Sequence, residues 1–179
     1  EAKAPFDNLD ARLAVAYGVD RDEFTKLRTG GLQEVASGPF APGNMGYVED
    51  TGFPSYDVDK AKDHAAAYKK ATSKALSFTL SYASDPSTKT NAELIQSQLA
   101  DAGIDVKLTS TDQAALIDRA IGGDFQMMLF RNHPGGDPDT QYVWWHTGSP
   151  VNFGKINDPE IDKALDEGRS EPDEAKRAE

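Results

Sequence analysis

The chain of 179 residues contains no cysteine. Disulfide staples, thiolate metal sites and cysteine nucleophiles are therefore excluded. This fits a cytosolic protein and equally an exported bacterial one. No apolar run approaches the roughly 18 residues that a membrane-crossing helix needs. Positive charge is scarce, with 19 Lys and Arg against 30 Asp and Glu and a net charge of −11. Such a surface repels phosphate backbones, so nucleic acid is not expected as a partner. HExxH, GxSxG, GxGxxG and the phosphate loop are all missing, and neither an internal repeat nor a low-complexity tract is visible. No signal peptide is visible. The opening "EAKAPFDNLD" and closing "SEPDEAKRAE" read as cuts, so a piece of a longer protein is expected.

At 38% hydrophobic residues the chain can still bury a core of domain size. Leu9, Leu13, Ala16 and Tyr17 recur at helical spacing behind a cap at Asp7 or Asn8. Asp20 opens a second helix that Gly30 and Gly31 stop. Residues 36–56 hold four glycines and three prolines and read as a long loop. Asp57 or Asp59 then starts a helix rich in alanine and lysine. In the middle of the chain, Leu76, Phe78, Leu80 and Tyr82 alternate with polar residues as a strand does. Leu94, Ile95, Leu99 and Ala102 mark a helix over 90–102. Ile104, Val106 and Leu108 mark a second strand, and residues 112–121 another helix capped by Asp112. "FQMMLF", 125–130, has the composition of a strand buried on both faces. Near the end, Asp158 and Pro159 open a last helix with Ile161, Ala164 and Leu165 facing inward and Gly168 breaking it.

Strand, helix, strand, helix, strand is the order of two crossover units. It predicts an α/β fold on a parallel sheet with right-handed connections. Ligands of such sheets sit beyond the carboxyl ends of the strands. The stretch "RNHPGGDPDTQYVWWHTG", 131–148, leaves the third strand at that end. Asp137 and Pro138 read as the cap and first position of a short helix. Of the adjacent Trp144 and Trp145, one packs inward and the other lies in an interface or cleft. His133, Asp137, Asp139 and His146 offer metal-ligand types without metal-site spacing. Arg131 has two readings: a salt bridge to a neighbouring acid, or a bidentate grip on a ligand carboxylate.

"PFDNLDARLAVAYGVDRDEF", "GPFAP", "YDVDKAKDHAAA", "AELIQSQLADAGIDVKL", "DFQMMLF" and "GGDPDTQYVWWHTGSPVNFGKINDPEIDKALDEG" follow one another in order. In that order they resemble the extracellular solute-binding proteins of the peptide and nickel class, family 5, the ligand-capturing subunits of ABC importers. The resemblance covers essentially the whole chain. It implies a type II periplasmic-binding-protein-like lobe with a β-α-β-α-β core and flanking helices. Residues 1–179 would form a single lobe, the C-terminal ligand-binding lobe of a two-lobe protein, truncated at both ends. The location implied is extracytoplasmic: periplasmic, or lipid-anchored at the outer face of the cytoplasmic membrane.

Peptide-binding members carry an aspartate a few residues before the "DP", paired with the ligand's free amino group, and a tryptophan before it. Here Pro134 falls at the aspartate and Arg131 near the tryptophan. Nickel-binding members place a histidine just after the "DP", where this chain has Asp139. The resemblance thus implies an oligopeptide or related small solute, with a carboxylate, a blocked amino group or a non-peptidic skeleton in place of a free amino terminus. Arg131, Asn132, His133, Gly135, Gly136, Asp137 and Trp145 are the expected ligand contacts. Arg131 would supply charge or stacking, Asn132 and His133 polar contacts, and the two glycines close backbone approach. Asp137 also serves as a helix cap. No catalysis, cofactor or metal is expected. The expected partners are the small-molecule or peptide ligand and the permease subunits in the membrane, with the binding protein itself a monomer. Three alternatives remain at this point: a nickel, metallophore or sugar binder of the same family, a metal-dependent enzyme using the 131–146 loop, and an interaction module that recruits another protein through the acidic face.

Overall fold

Small residues rather than leucines turn the first helix inward. In a computed structural model describing residues 3–36, 38–131 and 135–177, α1 (Leu9–Gly18) buries Ala11, Ala14 and Gly18 while Leu9 stays exposed. A Cβ on Gly18 would stand 2.8 Å from Leu99 Cδ2 and 3.5 Å from Ala61 Cβ. The close approach of α1 to α3 (Val58–Thr72) and α4 (Pro86–Asp101) selects small side chains, which a count of leucines does not anticipate. Asn8 caps α1, accepting from the Asp10 and Ala11 amides. Asp20 caps α2 (Arg21–Thr29), which ends on Gly30 at φ 64°. The described residues of segment 36–56 contain neither helix nor strand.

The described residues fall into two compact units, 3–35 with 52–130 and 36–51 with 131–177. The larger unit holds the sheet. Its strands are β1 (Ser77–Ala83), β2 (Asp105–Thr111) and β3 (Met127–Met128), ordered β2-β1-β3 and parallel throughout. Phe78 pairs with Val106, and Leu80 with both Leu108 and Met127. The chain steps from β1 to one neighbour through α4 and returns past β1 to the other through α5 (Gln113–Gly122). With right-handed crossovers these opposite steps place α4 and α5 on opposite faces. Phe78, Leu76, Leu80, Leu99 and Leu116 are the largest fully buried side chains. Phe6 meets Phe78 edge-on at a centroid distance of 4.9 Å.

Three expectations are corrected. The third strand is shorter than 125–130 and only half-buried. It pairs with β1 alone, and the Gln126 side chain replaces backbone pairing at its start: Oε1 accepts from the Thr79 amide at 2.8 Å and Nε2 donates to the Ala4 carbonyl. The helix expected from residue 90 starts at Pro86, because Asp85 caps it by accepting from the Thr88 amide. The last long helix, α7 (Pro159–Ser170), runs through Gly168, and it buries no side chain fully; Ile161 and Ala164 are exposed and only Leu165 of the three expected inward is half-buried. Polar contacts supplement that one apolar contact.

Candidate functional site

Beyond β3 the chain enters the smaller unit at Arg131. Among the described residues this side chain is exposed and has no ion-pair partner. Of its two readings, the salt bridge is therefore not made with any described acid. Asn132, His133 and Pro134 lie outside the described residues. Gly135 has φ +73°, and a Cβ there would lie 2.6 Å from Thr140 Cγ2, so both backbone and packing demand glycine. Gly136 differs: a Cβ on it would meet nothing within 4 Å.

The Asp137 side chain caps a single 3-10 turn (Pro138–Gln141) by accepting from the Asp139 amide at 2.8 Å, with proline at the first position as expected. The turn runs directly into α6 (Tyr142–Trp145). The same carboxylate is gripped by Arg177, at the end of α8 (Glu174–Arg177). Nη1 donates to Oδ2 at 2.9 Å, Nη2 donates to Oδ1, and Nε donates to the Gly168 carbonyl. Arg169 of α7 holds Asp139 in the same two-pronged way, Nε to Oδ1 at 2.6 Å and Nη2 to Oδ2 at 3.1 Å. Its guanidinium lies 3.6 Å from the Tyr142 ring centroid. These are fork-to-carboxylate geometries, which a lysine could not reproduce. Asp137, expected to touch ligand or cap a helix, caps the turn, and its carboxylate oxygens are already engaged.

The Asp139 amide, first, and Arg177, second, hold the Asp137 carboxyl below the usual carboxylate range. Hydrogen bonding to Asp139 raises the Arg169 guanidinium above its ordinary value. Burial, and then the charge of Asp166, raise the Tyr142 hydroxyl. His146 stacks on Tyr142 at 4.4 Å, donates from Nδ1 to the Thr147 carbonyl, and sets Nε2 3.6 Å from Asp166. Asp162 accepts from the Thr147 amide at 2.8 Å. Trp144 meets Phe153 edge-on, whereas Trp145 is exposed and tethered through Nε1 to Gln141 Oε1. One tryptophan thus packs and the other faces out, as expected of an adjacent pair. Neither Arg169 nor Arg177 was singled out from the sequence. The partners lie 30 and 40 residues apart, and nothing in local spacing links them.

The Thr147 amide is the main cause that lowers the Asp162 carboxyl. A group depressed in the folded state stabilises the fold above its unfolded pKa of about 4, and that contribution disappears as pH falls through the folded value. The thermal midpoint of the smaller unit should thus drop between about pH 5 and pH 3. Both tryptophans lie in this unit, so their fluorescence reports it directly. Asp162→Asn, which retains an acceptor but no titrating charge, should flatten that drop. Identical slopes for the two chains would mean that Asp162 does not contribute this way.

Residues 1–154 match the family model described as "Bacterial extracellular solute-binding proteins, family 5 Middle". The chain belongs to this family. Within family 5 its curated relatives include the di/tripeptide-binding protein 2 of Pseudomonas aeruginosa, 29% identical over 97% of this chain and 34% of that protein. Another is the probable D,D-dipeptide-binding periplasmic protein of Escherichia coli, 30% identical over 98% and 35%. The chain spans about a third of the length of these relatives. Among solved structures it superposes on the PBP AgaA of A. tumefaciens R10 in complex with agropinic acid. The TM-score is 0.83 and the identity 31%, over 98% of this chain and 37% of that one. The PBP MoaA, in complex with mannopinic acid, gives a TM-score of 0.85 at 25% identity, over 98% and 36%. The α/β fold expected from the strand order, and the periplasmic-binding-protein lobe that the resemblance implied, are thereby shown.

Proposed function

We propose that this chain is the C-terminal ligand-binding lobe of the substrate-binding component of an ABC importer, and that it receives a small solute bearing a carboxylate. The protein would work by binding alone. An open form admits the solute, the lobes close by a hinge motion, and the closed form docks on the permease outside the cytoplasmic membrane. Family membership supports the importer role, and the curated relatives carry peptide-binding and periplasmic names. Segment 131–137 and Trp145 supply the wall that meets the solute.

One observation carries the anionic preference. Of the charged groups described in 131–141, Asp137 and Asp139 are each held by a guanidinium, which leaves Arg131 as the unpaired charge. Two solved relatives are complexes with acids, agropinic and mannopinic. A carboxylate-bearing or amino-blocked peptide satisfies the same chemistry.

Native mass spectrometry of the protein purified gently from its own host would identify a retained solute. Calorimetry would then test the contact. Arg131→Ala should weaken a carboxylate ligand by about 1.5 kcal/mol or more, roughly tenfold, as the loss of a charged hydrogen bond does. An unchanged dissociation constant removes Arg131 from the site.

A further inference from the structure

The two arginines that hold the Asp-Pro-Asp turn lie at residues 169 and 177, beyond the span 1–154 that the family model matches. The helices carrying them bury no side chain. With Leu165 half-buried and no apolar side chain fully buried in either helix, the hydrophobic effect holds them weakly, and their polar contacts weigh heavily in where they rest. All three guanidinium nitrogens of Arg177 are engaged, two on Asp137 and one on the Gly168 carbonyl, and the side chain is only 19% exposed. The contact therefore ties α7, α8 and the turn together at one point. Arg169 adds a second point and is itself braced by the Tyr142 ring. Just upstream, Gly135 sits where a Cβ would collide with Thr140, whose hydroxyl donates to the Asp137 carbonyl at 2.6 Å.

We propose that Arg169 and Arg177 are positioning and specificity-determining residues: by occupying the carboxylates of Asp139 and Asp137 they fix the downstream end of segment 131–137 and withdraw both of these anions from ligand recognition. This rests on the reading of that segment as the ligand wall and deepens it, because it states what makes the segment select an anion. Freed from Arg177, the Asp137 carboxylate can pair with Arg131 or with a cationic group of a ligand. Either event disfavours an anionic solute and favours one with a free ammonium group.

The test compares wild type, Arg177→Leu, Arg177→Lys and Asp137→Asn, each checked by tryptophan fluorescence for a folded smaller unit. Hydrogen exchange of 135–141 is measured first, and then affinities for agropinic acid and for a free-amino dipeptide such as Ala-Ala. Arg177→Leu should speed exchange in the turn. It should also lower the ratio of acid to dipeptide affinity by roughly fivefold or more, with Arg177→Lys in between because it keeps charge without the fork. Asp137→Asn should speed exchange with little change in the ratio, since it creates no free carboxylate. A merely structural role would weaken both probes alike, and an unchanged ratio with faster exchange overturns the specificity claim. Unchanged exchange in Arg177→Leu overturns the positioning claim. If wild type binds neither probe, the carboxylate-solute reading fails together with the specificity claim, and exchange alone still decides whether the arginines anchor the turn.

Discussion

Phe78→Ala is expected to destabilise the larger unit by about 3–5 kcal/mol, the range for emptying a well-packed aromatic site. Phe78 is 2% exposed on the central strand of the sheet, pairs with Val106 and receives the edge of Phe6. The sheet has only three strands, and β1 is the one paired on both sides. Loss of the ring removes apolar contact and leaves a cavity that fixed backbone neighbours cannot close. Urea unfolding followed by far-ultraviolet circular dichroism reads the effect, since most helix and all strand content lies in this unit. A loss below about 1 kcal/mol would show that the site collapses freely or that Phe78 is not packed as described.

Asn152→Ala should cost the smaller unit about 2 kcal/mol or more, through stranded partners rather than through lost volume. Asn152 is 3% exposed. Its Nδ2 donates to the Ile156 carbonyl at 2.8 Å and the His146 carbonyl at 3.3 Å, and its Oδ1 accepts from the Ile156 amide at 3.0 Å. The bonds close a turn in which Lys155 adopts φ +52°, a left-handed conformation that a side chain disfavours. Removing the amide leaves partly buried carbonyls unpaired and the strained residue unsupported. Denaturant titration followed by tryptophan fluorescence isolates this unit. A midpoint within error of wild type would mean that water replaces the amide at no cost.

Helix starts were the most legible part of the chain. Asn8, Asp20, Asp57, Asp112, Asp137 and Asp158 each cap the element that begins beside them, because a cap acts on amides two or three residues away. Asp85 carries the same Asp-Pro signal, and the longer α4 was readable there. Burial was less legible. Leu9 and Ile161 sit at positions a helical count assigns inward, yet α1 packs through alanine and glycine and α7 rests on charges. The strand at 125–130 appeared buried on both faces because apolar composition does not record how many neighbours a strand has. Of the site, the Gly-Gly-Asp-Pro turn and Arg131 were visible, whereas the clamps on Asp137 and Asp139 were not.

By itself the sequence determined the order of strands and helices, the capped turn after the third strand and the family, since these depend on spacing within a few residues or on motifs in fixed order. Only the tertiary structure decided which carboxylates carry a guanidinium and which cation is left without one. Asp137, Asp139 and Arg131 look equally available along the chain. They are separated in role by arginines 30 and 40 residues away, whose approach depends on how α7 and α8 fold back rather than on any local pattern.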